Sequence, residues 1–130
     1  KSRIKYPVID LMNKQKNIIK KGATMRLGQY SCKVAKGTNA MKAYRRSNIY
    51  ERHRHRYEVN NKYVKSLIKS GLIVSGMNDK LKLVEMIEIK DHPWFVGVQF
   101  HPELKSRIVK THPLFKDFIS ASVKYNERQN

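Results

Sequence analysis

Cysteine is almost absent from this chain: Cys32 is the only one among 130 residues. A single cysteine cannot form a disulfide within the chain, which excludes the disulfide-rich secreted scaffolds and favours a reducing compartment, with the cytoplasm as the default. No apolar run approaches the roughly 18 residues that a membrane-spanning helix needs. The chain also has no initiating methionine and no signal-peptide pattern. We therefore expect a segment of a longer cytoplasmic protein with no membrane partner.

Acidic residues are scarce as well, with 10 Asp and Glu against 28 Lys and Arg and a formal net charge of +18. Such an excess can indicate nucleic-acid binding. The lysines, however, are spread from Lys1 to Lys124, and no zinc-finger, helix-turn-helix or RNA-recognition pattern accompanies them. An acidic partner segment of the same protein would explain the surplus equally well. A basic nucleic-acid-binding module is therefore kept as an alternative function, not as the main one.

The sequence does contain alternating strand and helix patterns over the length of one domain. Helix patterns begin near Thr38, at Asn60 or Asn61, and at Pro113, and Gly71 stands where a left-handed residue would end the second helix. The remaining patterns are typical of strands, and they cover residues 6–12, 22–28, 30–34, 51–60, 72–75, 81–89 and 94–100. The fold class is therefore α/β, in one domain.

The same patterns also predict which strands pair and which side of the last helix is apolar. The strand over 22–28 places Met25 and Leu27 between polar neighbours, as in a half-buried strand, and it would pair with 30–34 across Gly28. Residues 81–89 and 94–100 would form a hairpin that turns at 90–93. The last helix carries an apolar stripe, which consists of Leu114, Phe115, Phe118 and Ile119.

His101 and Glu103 are the first candidates for chemistry, because they stand two residues apart directly after the apolar strand that ends at Phe100. An imidazole beside a carboxylate can act as a general base with its orienting partner, and in α/β proteins such groups cluster at strand ends. An isolated His-Pro-Glu is also common in surface loops, but the preceding strand favours the catalytic interpretation. Such a pair activates a nucleophile, usually Ser or Cys, from another part of the fold.

Cys32 does not fit the place of that nucleophile. It lies in an alternating strand pattern, without the sharp strand-to-helix turn and small neighbours on which nucleophiles of α/β folds stand. We interpret Cys32 as a packing residue. The sequence therefore predicts a catalytic pair whose nucleophile is missing from this chain.

The stretch from Arg52 to Arg56 alternates arginine with histidine and admits several interpretations. Strand alternation would put Arg52, Arg54 and Arg56 on one face and His53, His55 and Tyr57 on the other. A metal site would need His53 and His55 plus a third ligand, and no convincing partner is present. A nucleic-acid clamp or a solvated basic face is possible. The planar guanidinium fork also suits recognition of a carboxylate.

Taken together, these motifs resemble the glutaminase domain of the CTP synthases, a family within the class I glutamine amidotransferases. The matching segments appear in the family's order, and they are residues 22–28, 51–61, 83–85, 91–103 and 112–115. Phe-His-Pro-Glu alone would indicate only the wider amidotransferase class. The Arg/His stretch combined with His-Pro-Trp-Phe-Val is specific to the CTP synthases. The resemblance covers residues 22–119 well and residues 6–12 loosely.

The resemblance implies a partial class I glutamine amidotransferase domain, a mixed sheet flanked by helices whose nucleophile-bearing strands lie upstream. It implies that a cysteine attacks the side-chain amide of L-glutamine, with His101 as general base and Glu103 fixing the imidazole tautomer. Arg56 would contact the glutamine substrate. No metal or cofactor is expected in this segment. The parent would use ATP and Mg²⁺ in a synthetase domain, where ammonia converts UTP to CTP, and it would be a homotetramer through that domain.

The departures from the family matter too. The chain lacks the Gly-x-Cys-Leu-Gly-x-Gln elbow, the glycine-rich oxyanion loop and the acidic glutamine contact, and it has Gly-Ala-Thr at 22–24 in place of Gly-Gly-Thr. This chain alone is therefore expected to be inactive towards glutamine. It is also expected to expose apolar sheet edges and to be ordered only beside the missing segment. Another class I glutamine amidotransferase, or a glutamine-type hydrolase, stays an alternative.

Overall fold

The structure is a computed structural model, and it describes residues 4–11 and 25–129. Within them the chain alternates strands and helices, which confirms the α/β class. The elements are β1 (Ile9–Leu11), β2 (Arg26–Val34), α1 (Asn39–Tyr44), β3 (Asn48–His55), β4 (Tyr57–Val59), α2 (Asn61–Lys69), β5 (Leu72–Asn78), β6 (Leu83–Ile89), β7 (Val96–Val98), a 3₁₀ turn (Pro102–Leu104) and α3 (Pro113–Glu127). The predicted strand residues at 12 and 22–24 lie outside the described residues.

Five of the described strands form one sheet in the order β3-β2-β5-β6-β7, and β1 pairs with β4 beside it. All the pairings among these strands are antiparallel. The predicted hairpin is present, because β6 and β7 pair with Ile87 opposite Gly97. Strand β7 leads directly to the turn that carries His101 and Glu103, so the sheet positions this pair.

The prediction of two strands paired across Gly28 is wrong. β2 runs unbroken through Gly28 and pairs with β3 from Arg26 opposite His55 to Lys33 opposite Asn48. Gly28 has φ +100°, a value that glycine adopts without the steric cost that other residues meet, so it marks an irregularity inside one strand. The strand's inner face also differs from expectation: Arg26 is buried, whereas Leu27 is 68% exposed.

The helix ends agree with the sequence signals. Thr38 caps α1 by accepting from the Met41 amide, and Asn60 caps α2 through the Lys62 amide. Gly71 follows α2 with φ +96°, and Pro113 occupies the first turn of α3. None of the described helices is long and apolar enough to cross a membrane.

The core lies between the five-stranded sheet and the helices α1 and α3. Its buried apolar members are Cys32, Val34, Ala40, Ile49, Met86, Phe100 and Leu114. The predicted apolar stripe of α3 is largely exposed, since Leu114 is buried but Phe118 is 48% exposed and Ile119 is 59% exposed. The helix therefore contributes one end of its stripe to the core and leaves the rest as an apolar surface.

Candidate active site at the end of strand β7

His101 and Glu103 form a hydrogen-bonded pair on the turn that follows β7. His101 Nδ1 lies 2.6 Å from Glu103 Oε1, and the His101 backbone N–H donates to the Arg52 carbonyl oxygen at 2.9 Å. The turn itself is closed by a bond from the Leu104 amide to the His101 carbonyl oxygen at 3.1 Å. The structure thus brings together the two side chains that the sequence singled out, and it anchors them to β3.

The geometry assigns a chemical role to each ring nitrogen. An ionised carboxylate only accepts hydrogen bonds, so the His101 nitrogen that faces Glu103 carries the hydrogen, and in the neutral imidazole the lone pair is then on Nε2. Partial burial would raise the pKa of Glu103, but hydrogen bonds from its own backbone amide and from His101, helped by the field of Arg54, lower it overall. Glu103 is therefore ionised at neutral pH, and His101 Nε2 can accept a proton.

Behind this turn, Glu51 collects donors from three parts of the chain. Its Oε1 accepts from the Tyr44 hydroxyl at 2.9 Å and from His112 Nε2 at 3.1 Å, and Lys105 Nζ lies 3.5 Å from its Oε2. Burial, together with Glu51, raises the pKa of Tyr44, which therefore stays a phenol and donates. The cluster fixes the segment after the His101–Glu103 pair against β3. Sequence reasoning missed it, because its members are far apart in the chain.

Arg56 lies at a bend between β3 and β4 and is half-buried. Its Nε is buried and has no hydrogen-bond partner among the described residues. Next to it, the Tyr57 carbonyl oxygen accepts from Gln99 Nε2 at 3.2 Å, and Gln99 stands two residues before His101. Arg56 is therefore connected, through Tyr57, to the strand that leads to the His101–Glu103 pair.

The predicted alternation of the Arg/His stretch is correct as far as His55 and wrong beyond it. Arg52 and Arg54 are exposed and His53 is buried, as expected. The bend then reverses the pattern, so that Tyr57 is 54% exposed and the next residue, Glu58, is buried. Arg56 consequently leaves the exposed row of arginines.

A buried charge cluster lies on the inner side of the same strands. Arg26 donates to Glu58 Oε1 at 3.0 Å and to Glu85, and it stacks 4.3 Å over the Tyr30 ring. His55 Nε2 lies 2.7 Å from Glu58 Oε1. These contacts explain why Arg26 is buried: two carboxylates and an aromatic face compensate its loss of hydration.

His53 belongs to this cluster and contacts Phe100, the residue before His101. Its ring centroid lies 5.8 Å from that of Phe100, and its Nδ1 is 3.8 Å from Glu85 Oε2. Burial lowers the pKa of His53 to about 3, and burial raises the pKa of Glu85 to about 7 although Arg26 opposes the shift. His53 is therefore neutral. The described residues contain no group of three His, Cys, Asp or Glu side chains arranged to hold a metal ion.

Cys32 is 1% exposed and packs in the core. Burial, reinforced by Glu85 and Glu51, raises its pKa to about 12. Its thiol is protonated at neutral pH and closed off from solvent, which agrees with its interpretation as a packing residue.

The fold and the His101–Glu103 pair point to one class of protein, and the comparison with known proteins identifies that class. Residues 5–121 match the family described as "Glutamine amidotransferase class-I". The chain belongs to the class I glutamine amidotransferase family. The relatives that it resembles are named CTP synthase. Those of Clostridium kluyveri and Methanosphaera stadtmanae are 65% identical over 119 residues and 58% identical over 124 residues. These matches cover 92% and 95% of the chain.

The chain spans only about a fifth of the length of these curated relatives, 22% and 23% respectively. Among solved structures, it matches the glutaminase domain of Trypanosoma brucei CTPS with bound acivicin at a TM-score of 0.83 and 35% identity, covering 92% of this chain and 47% of that one. A putative GMP synthase component from Thermoplasma acidophilum, at 21% identity and a TM-score of 0.60, shares the fold. The nucleic-acid alternative is not favoured by these matches.

Proposed function

We propose that this chain is the carboxyl-terminal part of the glutaminase domain of a CTP synthase, and that it supplies three groups for the release of ammonia from L-glutamine. The observation that carries the proposal is the 2.6 Å His101–Glu103 pair, with a free acceptor at Nε2, in a segment 65% identical to a CTP synthase. His101 would be the general base, Glu103 its orienting carboxylate, and Arg56 the contact to the substrate.

The chemistry follows from the free Nε2. His101 takes the proton of a cysteine thiol supplied from outside this chain, and the thiolate adds to the side-chain carbonyl of glutamine. The C–N bond then breaks, and His101 returns the proton to the departing nitrogen, so that ammonia leaves and a thioester forms. His101 next removes a proton from water, which hydrolyses the thioester to glutamate and restores the thiol.

Arg56 suits the recognition of the substrate's carboxylate. Its guanidinium is a planar fork of donors, and its buried Nε has no partner among the described residues. A bound carboxylate would supply acceptors to this fork, and a charge-assisted bond of that kind is stronger than a neutral one.

The remaining partners would lie on the rest of the same polypeptide. The exposed apolar side of α3, which includes Phe118 and Ile119, supports packing against the remainder of the glutaminase domain, since the chain corresponds to 47% of the solved one. A synthetase domain would use ATP and Mg²⁺ to phosphorylate a carbonyl oxygen on the uracil ring of UTP, and ammonia would displace the phosphate to give CTP. We further propose a cytoplasmic homotetramer, assembled through that domain.

The test is CTP formation by the full-length enzyme from UTP and ATP, with either glutamine or an ammonium salt as nitrogen donor. We expect CTP with both donors and release of one glutamate per CTP when glutamine is used. Glutamate release without any CTP from either donor would instead point to another class I amidotransferase. Absence of glutamine hydrolysis would overturn the proposal.

A further inference from the structure

At Arg56 the chain turns away from the regular course of strand β3. In β3 the side chains alternate regularly, with Glu51 and His53 buried and Arg52 and Arg54 exposed. A regular continuation would expose Arg56 and bury Tyr57. The chain instead bends at Arg56, exposes Tyr57 and buries Glu58 to 4% exposure. After the bend, Tyr57 and Glu58 therefore lie on the opposite faces from those that a regular strand would give them.

The burial of Glu58 accounts for the bend. A buried carboxylate requires donors, and Glu58 Oε1 has two of them, Arg26 Nη1 at 3.0 Å and His55 Nε2 at 2.7 Å. The His55–Glu58 contact spans three residues and closes a loop around Arg56. On a straight strand His55 and Glu58 would face opposite sides, so this contact and the straight strand exclude each other.

The donors that hold Glu58 are themselves fixed. Arg26 is 3% exposed, and it is held from its other side by Glu85 on β6 and by the ring of Tyr30. The cluster therefore joins β2, β4 and β6. Two further bonds connect the bent segment to the catalytic turn: the Arg52 carbonyl oxygen accepts from the His101 amide at 2.9 Å, and the Tyr57 carbonyl oxygen accepts from Gln99 at 3.2 Å.

We infer that Glu58 is the positioning residue of the glutamine site: its bonds to Arg26 and His55 set the bend that points Arg56 at the substrate. The inference rests on the proposed function, because it takes Arg56 as the glutamine contact. Glu58 touches no substrate in this account and acts only through Arg56. Removing it should weaken glutamine binding and leave the use of free ammonia intact.

A double-mutant cycle on the full-length enzyme tests this directly. Arg56→Ala should raise KM for glutamine by about 10–100-fold with a smaller effect on kcat, as expected for lost ground-state binding. Glu58→Ala should raise the same KM by about tenfold, but by less than about twofold when Arg56 is already alanine, because residues that act as a unit are not additive. Glu58→Gln keeps the shape and one acceptor oxygen, and it should fall between Glu58→Ala and the unmodified enzyme.

Glu88→Gln is the matched control, since Glu88 is an equally buried carboxylate whose hydrogen bonds go to the first amides of α1. It should lower the melting temperature without changing KM for glutamine. The positioning role is overturned if Glu58→Ala multiplies KM equally in both backgrounds, or if it reduces the ammonia-driven rate as much as the glutamine-driven rate. If Glu58→Ala does not fold, the same comparison is decided by Glu58→Gln. Failure of the proposed function would show separately, as an unmodified enzyme that makes no CTP from glutamine.

Discussion

Glu51 Oε1 lies 3.1 Å from His112 Nε2, and this buried pair connects β3 to the residue that caps α3. The other ring nitrogen of His112, Nδ1, accepts a hydrogen bond from the Leu114 amide. Nε2 therefore carries the hydrogen and donates it in the hydrogen bond to Glu51. The eleven residues from 102 to 112 are therefore fixed at their far end, and the His101–Glu103 turn stands at their near end.

The Glu51 cluster should be important for stability. In Glu51→Ala, the buried Tyr44 hydroxyl loses its acceptor, at about 1–3 kcal/mol for a donor left unpaired, whereas His112 Nε2 still has the Tyr44 oxygen 3.3 Å away. Tyr44→Phe removes only one hydrogen bond from the same carboxylate, and its cost should be about 0.5–1.5 kcal/mol. Urea unfolding midpoints of the two variants check the order. Equal destabilisation of the two variants would show that the bonds from Glu51 to donors other than Tyr44 add nothing to stability.

The catalytic pair can be tested by the choice of nitrogen donor. His101→Ala should lower glutamine-driven CTP formation by about 10²–10⁴-fold, the usual contribution of a general base. It should leave ammonia-driven formation largely intact, because free ammonia bypasses amide cleavage. Glu103→Ala should show the same selectivity with a smaller loss, since Glu103 orients the base and transfers no proton. Parallel loss of the ammonia-driven rate in His101→Ala would make the residue structural.

Cys32 offers a test of its packing role, because it lies beside a glycine that has no room for a side chain. A Cβ on Gly76 would come within 2.7 Å of Cys32 Sγ and 2.5 Å of Met86 Cε. Gly76→Ala should therefore cost about 1–3 kcal/mol through overpacking. Adding Cys32→Ala should recover part of that loss, although Cys32→Ala is destabilising by itself. Thermal melting of the three variants measures the coupling, and additive losses would contradict the contact.

Cys32→Ala should also keep the ratio of glutamine-driven to ammonia-driven activity, as expected of a buried thiol whose pKa is raised to about 12. Loss of the glutamine-driven reaction alone, in a variant that is still folded, would contradict the interpretation of Cys32 as a packing residue.

The buried His53 should make the fold sensitive to acid. Burial lowers its pKa from 6.5 to about 3. Its contribution to the free energy of unfolding is therefore fully present above pH 6.5 and is lost as the pH falls towards 3. Glu85 works in the opposite direction: its pKa is raised from 4.5 to about 7, so its contribution is present below pH 4.5 and is lost as the pH rises through 7.

Between pH 4.5 and 6.5, the titrations of His53 and Glu85 change the free energy of unfolding in opposite directions. Below pH 4.5, only the titration of His53 still changes it. The difference in unfolding free energy between the unmodified protein and His53→Gln isolates the histidine. We expect this difference to shrink steadily from pH 6.5 downwards. A difference that does not change with pH would show that His53 keeps its ordinary pKa in the fold.

What the sequence could predict was local. Thr38, Gly71 and Pro113 mark helix ends because their effects act within one turn, and all three stand where expected. The His101–Glu103 pair could be predicted for the same reason, because its two residues are close together in the sequence and directly follow a strand pattern.

What the sequence could not predict depends on distant partners. Arg26 meets carboxylates 32 and 59 residues away, and a pattern that puts apolar residues inside a strand cannot anticipate a buried arginine. The bend at Arg56 has the same origin, because Glu58 is drawn inward by Arg26 and so interrupts an alternation that was regular up to His55.

Glu88 supplies the carboxylate at the start of α1, the shortest α-helix in the part of the chain that the structure describes. α1 has six residues and no acidic side chain in its first turn, and its first amides, of Asn39 and Ala40, donate at 2.8 and 2.9 Å to a carboxylate on β6, 49 and 48 residues away. An isolated helix of this length would fray, and its amide hydrogens would exchange with solvent in the native state. We expect those two hydrogens to exchange only when they part from the Glu88 carboxylate, because Glu88 is 2% exposed and is held on β6. Their exchange rates should therefore match those of the central strands, and α1 should unfold together with the sheet as one cooperative unit.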